Sequence, residues 1–194
     1  MSFEAYAAFD DPYVYKGTSV LKNKLGTQDA AELSAFEVEM TALRAEEPLP
    51  TGRFGTAHYR AVHRHLFQDV YRWAGRYRTV RTGKDGNWFC YPEYIPREMD
   101  RVFGGLRNNA FLAGRSFEDF AIRAASFLAE LNAIHPFREG NGRAQLSFFF
   151  LLAQKAGHRL DFSRIRPHAF LAAMVASFAG DTRPLVQEIM RLRV

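Results

Sequence analysis

The feature that most constrains this chain is a polar, glycine-rich string set between two stretches that both read as buried helices. Residues 116–134 are apolar at Phe117, Phe120, Ala121, Ala124, Phe127, Leu128, Leu131 and Ile134, which is helical spacing with one wide buried face. Ser116, three residues before Asp119, resembles a capping-box start. Residues 144–156 are apolar almost all round, through Leu146, Phe148, Phe149, Phe150, Leu151 and Leu152, and stop at Gly157, a natural C-terminal cap. Between them stands His135-Pro136-Phe137-Arg138-Glu139-Gly140-Asn141-Gly142-Arg143. Pro136 disfavours the helical conformation at His135, so the first helix ends there. The string then feeds straight into the N-terminus of the second.

That placement has chemical consequences. A helix N-terminus offers unpaired N–H groups and partial positive charge, which suit phosphate. Gly140 and Gly142 allow the backbone to approach an anion closely, and Asn141 tolerates unusual dihedrals while offering an amide donor. Arg143 adds a forked cation for a second phosphate. Glu139 is an oxygen ligand where a magnesium ion bridging two phosphates would sit. His135 can accept a proton near neutral pH. The competing reading is a plain helix–loop–helix in which the histidine caps and the glycines turn the chain. Base, metal ligand, anion nest and arginine together describe transfer from a nucleotide.

The same string matches the signature of the Fic family, His-Pro-Phe-x-(Asp/Glu)-Gly-Asn-Gly-Arg, at every specified position. The resemblance implies a mainly α fold: a compact helical bundle with one small β-hairpin, the flap. It implies AMP transfer from ATP to a hydroxyl of a target protein. By position, His135 would be the general base, Phe137 a core anchor, Glu139 the Mg2+ ligand, Gly140, Asn141 and Gly142 the anion hole, and Arg143 the contact to the outer phosphates. A related branch that transfers the γ-phosphate carries Lys where Gly142 stands here, so Gly142 favours AMP transfer. Many members have a second arginine three residues after Arg143, where this chain has Leu146.

Length and composition set further bounds. At 194 residues the chain reads as one domain spanning 1–194, with ordinary hydrophobic (47%) and charged (24%) fractions. No stretch reaches transmembrane length, and residues 1–4 lack the flank and apolar run of a signal peptide. The single cysteine, Cys90, excludes an internal disulfide, which makes a reducing cytoplasm the expected compartment. Cys90 reads as a passive thiol. The net charge of +5 is built mostly on arginine. A biased genome, an acidic partner or nucleic acid could each account for it. The basic residues are spread without an arginine–aromatic stripe, so neither nucleic acid nor a membrane is the expected partner.

Taken in order, residues 11–26 read as an irregular lead-in with turns at Gly17 and Gly26, and resemble the opening of small stand-alone Fic toxins of bacteria. A helix is predicted from 27 or 28 to 44, apolar at Ala31, Leu33, Phe36, Met40 and Leu43, with Glu37 and Glu39 on other faces. A second runs over 56–71 and carries His58, His63 and His65. No cysteine or ordered carboxylate completes a zinc set there, so packing roles are expected. Residues 76–95 are the one β candidate, with strands at 77–81 and 88–91 and Asp85-Gly86 as the turn signal. The family's flap lies at this place and docks the target by strand addition, which nominates Lys84 and Phe89 as target contacts and Trp88 as an influence on target choice. Further helices are predicted over 96–111, 167–178 and from 181 or 182 to 192, with another element starting at 161–163.

Many Fic proteins carry an inhibitory helix with (Ser/Thr)-x-x-x-Glu-(Gly/Asn), whose glutamate pairs with the motif arginine. Only Ser126-x-x-x-Glu130 comes close here, and Leu131 follows it inside the helix leading to the motif. Without that helix the chain resembles the toxin branch, whose inhibitor is a separate small antitoxin protein. That resemblance implies the ATPase subunits of DNA gyrase and topoisomerase IV as the type of target. Two other readings remain: a Fic enzyme with another donor or a host-directed role, and a non-enzymatic binding module on the same fold.

Overall fold

The computed structural model describes residues 11–84 and 86–194, so Asp85 of the hairpin turn and the N-terminal residues 1–4 read above for a signal peptide lie outside the described residues. Seven α-helices are present among the described residues: α1 (Ala30–Glu46), α2 (Thr56–Phe67), α3 (Ile95–Asn108), α4 (Phe117–Ile134), α5 (Asn141–Ala156), α6 (Pro167–Phe178) and α7 (Arg183–Arg191). One antiparallel hairpin pairs β1 (Gly83–Lys84) with β2 (Asn87–Trp88). The fold is the mainly α bundle with a small flap that the sequence predicts.

The central helix is α4, which packs on α3, α5, α6 and α7. Its sequence explains this position. Phe120, Ala121, Ala124, Leu128 and Leu131 are buried, and the alanines let neighbouring helices approach closely. Ser116 caps it by accepting the N–H of Asp119. Helix α5 lies beside it, with Phe148, Phe149 and Leu152 fully buried, and stops at Gly157 in the left-handed conformation. Phe137 of the motif string completes this core, stacked on His63 with ring centroids 3.7 Å apart.

Three elements differ from the sequence expectation. The inward stripe of α1 is Leu33, Glu37 and Thr41, so Glu37 is buried rather than turned to another face, while Leu43 is 52% exposed. The glutamate is drawn inward because it finds hydrogen-bond donors there. Helix α2 ends at Phe67, four residues early, because the chain turns so that Gly75 can meet the His63 ring; the Gly75 N–H donates to His63 Nδ1 at 2.9 Å. The strands are shorter than predicted, since the backbone N–H groups of Arg78 and Cys90 are spent outside the hairpin. The Arg78 N–H donates to Pro136 O and the Cys90 N–H to Ala133 O.

The helix over residues 96–111 is realised as α3 followed by a short 3-10 turn over Ala110–Leu112. Helix α6 matches its predicted span, with Pro167 in its first turn. The lead-in turns at Gly17 and Gly26 are present, both at positive φ. No helix among the described residues is long and apolar enough to cross a membrane.

Candidate active site

The motif residues converge because α4 ends and α5 begins within a few residues of each other. His135 closes α4 in the left-handed conformation, φ +50°, with its N–H bonded to Leu131 O. Pro136 disfavours the right-handed alternative there. The Asn141 side chain fixes the loop: its Oδ1 accepts the Phe137 N–H at 2.9 Å and its Nδ2 donates to Phe137 O at 2.8 Å. The asparagine therefore staples the loop, spending its amide oxygen and one amide hydrogen on Phe137. Gly140 sits at φ +81°, and a Cβ there would lie 2.2 Å from the Phe67 ring. Only glycine satisfies both conditions. A Cβ on Gly142 would meet open space.

Helix α5 opens with the Ala144 N–H bonded to Gly140 O, which leaves the N–H groups of Asn141, Gly142 and Arg143 without intrahelical partners. They face the start of a helix whose dipole favours anions. The Gly140 N–H is bonded to Glu139 Oε1 at 2.8 Å. Alongside lies a cavity of about 420 Å³. Its lining includes the polar residues His135, Glu139 and Asn141, with Gly142, and the apolar residues Leu146 and Phe170. Lys84 and Phe89 of the hairpin region line it too.

Electrostatics divide the titratable groups. Burial, then the neighbouring Arg78 and Lys84 charges, push the His135 imidazole down to about 3, so it is neutral at physiological pH. Its Nδ1 lies 3.4 Å from Asn132 O; a carbonyl only accepts, so Nδ1 carries the hydrogen and Nε2 the basic lone pair. Burial, then the neighbouring Glu37, raise the Glu139 carboxyl above its ordinary range.

Arg143 is where the structure adds most. Its Nη2 pairs with Glu37 Oε1 at 2.5 Å and with Glu139 Oε1 at 3.4 Å, while Nη1 donates to Thr41 Oγ1. Its guanidinium lies 4.6 Å from the Phe67 ring centroid. A glutamate therefore does pair with the motif arginine from within the chain, although the sequence shows no match to the (Ser/Thr)-x-x-x-Glu-(Gly/Asn) segment. It comes from α1 and has Leu33 four residues before it and Val38 after it, so a search for that segment passes over it. Tyr71 donates its hydroxyl to the same carboxylate.

Sequence reasoning also missed Arg78, whose signal was only an arginine in a strand-like run. It is fully buried, and its guanidinium donates to the carbonyls of Val80, Cys90, Ile134 and His135. One cation thus caps the C-terminus of α4 and anchors the hairpin. Arg138, the unspecified position of the motif, forms a buried ion pair with Asp11 at 2.7 Å. The three histidines of α2 have backbone partners: His58 with Pro50 O, His63 with Glu139 O and His65 with Arg44 O. Of the two nominated target contacts, Lys84 is exposed on β1, whereas Phe89 is buried against the His135 ring.

The model of the Fic/DOC family matches residues 53–153. A relative from Sinorhizobium fredii, named as the probable protein adenylyltransferase y4lH, is 55% identical over 188 residues, covering 96% of this chain and 98% of its own. The probable protein adenylyltransferase Fic of Salmonella typhimurium is 38% identical over 177 residues, covering 90% and 88%. Among solved structures, BepC of Bartonella tribocorum, a VirB-translocated effector with bound AMPPNP, superposes with TM-score 0.82 at 30% identity over 94% of this chain and 96% of that one. The chain belongs to the Fic/DOC family. It is a nucleotidyltransferase of the class for which these curated relatives are named.

Proposed function

We propose that the protein transfers AMP from ATP to the hydroxyl of a Tyr, Thr or Ser side chain on a target protein, with His135 as general base. The observation that carries this reading is that the His135 imidazole lies on the same cavity as an unpaired helix N-terminus. His135 Nε2 accepts the hydroxyl proton as the target oxygen bonds to the α-phosphorus. The bond from that phosphorus to the departing pyrophosphate oxygen breaks. A base held near 3 is weak, but the incoming triphosphate adds negative charge beside it and raises its proton affinity towards the working range.

The N–H groups at the start of α5 receive the phosphate oxygens, and the open space at Gly142 leaves room for them. A lysine at that position would fill it, so the glycine supports α- rather than γ-phosphate transfer. The apolar side chains lining the cavity suit a planar base. Most of the acceleration would come from positioning and charge stabilisation.

The donor set fits Mg2+. Among the described residues no group of three potential protein ligands exists. Glu139 offers one carboxylate on the cavity, and burial and Glu37 make that carboxylate receptive to a cation. One carboxylate plus substrate phosphates is how this hard cation is commonly held. Bound there, Mg2+ would neutralise charge on the bridging phosphate oxygens. Arg143, tied to Glu37, would reach outer phosphates only by exchanging that partner.

The proposal extends to a toxin acting in the cytoplasm and restrained by a small antitoxin, with gyrase and topoisomerase IV ATPase subunits as targets. The resemblance of residues 11–26 to stand-alone toxins supports it.

The test is incubation of wild type and His135→Ala with α- or γ-labelled ATP, magnesium and bacterial lysate. Label should move only from the α position, and the variant should lose on the order of 10²–10⁴ in rate. Transfer from the γ position would replace this reading with phosphoryl transfer. No transfer from either position would remove ATP as the donor.

A further inference from the structure

We propose that Phe89 is a positioning residue for the general base: its ring lies flat on the His135 imidazole, excludes water from that face and holds the ring in its productive orientation. The proposal rests on the reading of His135 as the base. The two rings are parallel to within 8°, with centroids 3.8 Å apart. Phe89 is itself fixed, since Phe178 of α6 meets it edge-on at 90° and 5.7 Å. Its backbone is anchored on both sides: the Phe89 N–H donates to Thr82 O at 3.1 Å and the next N–H, of Cys90, to Ala133 O on α4 at 3.2 Å. Phe89 is 8% exposed, so it offers little surface to a docking target, unlike the exposed Lys84 and Trp88 of the hairpin.

The surroundings of His135 explain why an aromatic cover matters. Arg78 contacts it from the hairpin root and donates to its carbonyl, and Lys84 on β1 adds a second positive charge. Glu139 of the motif loop lines the same cavity and brings the opposite charge. Helix α5 offers the uncharged amides of Asn141 and Gln145, α4 the Asn132 carbonyl, and α6 the Phe178 ring. Desolvation is the largest influence keeping the imidazole neutral, ahead of the Arg78 charge. Phe89 covers a flat face of that ring, so a smaller side chain would admit water and allow protonation at higher pH.

Two measurements test this in the intact protein. The first follows the His135 imidazole by NMR in isotope-labelled wild type, Phe89→Ala and Phe89→Val from pH 7.5 down to about 4.5, with His135→Gln to assign the signal. Wild type should stay unprotonated across this range. Phe89→Ala should titrate within it, an upward shift of about one to two pH units or more, and Phe89→Val should fall between. The second follows the acid limb of kcat/KM for AMP transfer, which should move up by the same amount. The NMR titration needs no turnover, so it stands even where the AMP-transfer reading fails. A folded Phe89→Ala whose His135 stays unprotonated to the acid end overturns the proposal. If Phe89→Ala does not fold, Phe89→Val decides: a titration unchanged from wild type overturns it. A raised KM for the target with unaltered titration also overturns it, and makes Phe89 a target contact instead.

Discussion

The motif loop and the hairpin meet at His135, yet they are held in opposite ways. The loop is stapled largely by its own residues. Asn141 bonds twice to Phe137, the Gly140 N–H bonds to Glu139, and Gly140 O starts α5. The hairpin keeps only a two-residue ladder, and residues at its base are held by α4 and the loop through Arg78 and Cys90. The difference teaches how a site can pair rigidity with adaptability. The motif loop carries its geometry in consecutive residues, and the hairpin takes its position from the scaffold beneath it.

Three substitutions would break or sharpen that contrast. The largest effect is expected at Gly140→Ala in the loop. A left-handed backbone conformation costs an alanine about 1–2 kcal/mol, and the clash with the Phe67 ring adds roughly 1–3 kcal/mol. Urea unfolding should show a loss of roughly 2–5 kcal/mol, and a loss under about 1 kcal/mol would mean the loop is more pliable than its bonds suggest.

Next comes Arg78→Met at the hairpin root. It removes a buried cation from four carbonyls, and a loss of about 3 kcal/mol or more is expected, because several acceptors lose their donor at once. Hydrogen exchange should show the amides of Phe89 and Cys90 opening while Phe137 stays protected. Equal opening of Phe137 would show that loop and hairpin unfold as one unit.

The smallest effect belongs to Trp88→Ala. The side chain is 50% exposed and stacks with Arg81, whose guanidinium carbon lies 4.6 Å from its ring centroid. The expected change is about 0.5–1 kcal/mol in thermal or urea unfolding. A much larger loss would make the hairpin tip part of the core.

Much of the bundle and of the loop is legible in the order of the residues. The helices over residues 116–134 and 167–178, the caps at Ser116 and Gly157, and the glycine requirement at Gly140 follow from periodicity and local backbone preference. Those signals act over a few residues, so a string of letters contains them. Glu37 is the counterexample: its spacing from Leu33 and Thr41 places it on the buried stripe of α1, but burial of a carboxylate makes sense only once its donors are known. Those donors, Arg143 and Tyr71, come from other segments. The same holds for the shortened strands, since β propensity proposes a ladder while the carbonyls of Ala133 on α4 and Pro136 in the loop take the N–H groups of Cys90 and Arg78.

The sequence by itself determined the helical bundle, the loop between α4 and α5 and the set of motif residues that this loop brings together. Each depends on interactions within one or two helical turns. Only the tertiary structure decided which groups are paired or covered: the half-buried His135 under Phe89, the carboxylate on Arg143 and the cation that ties the hairpin to His135. Charge state and solvent exclusion depend on every neighbour within a few ångströms, and those neighbours lie far apart along the chain.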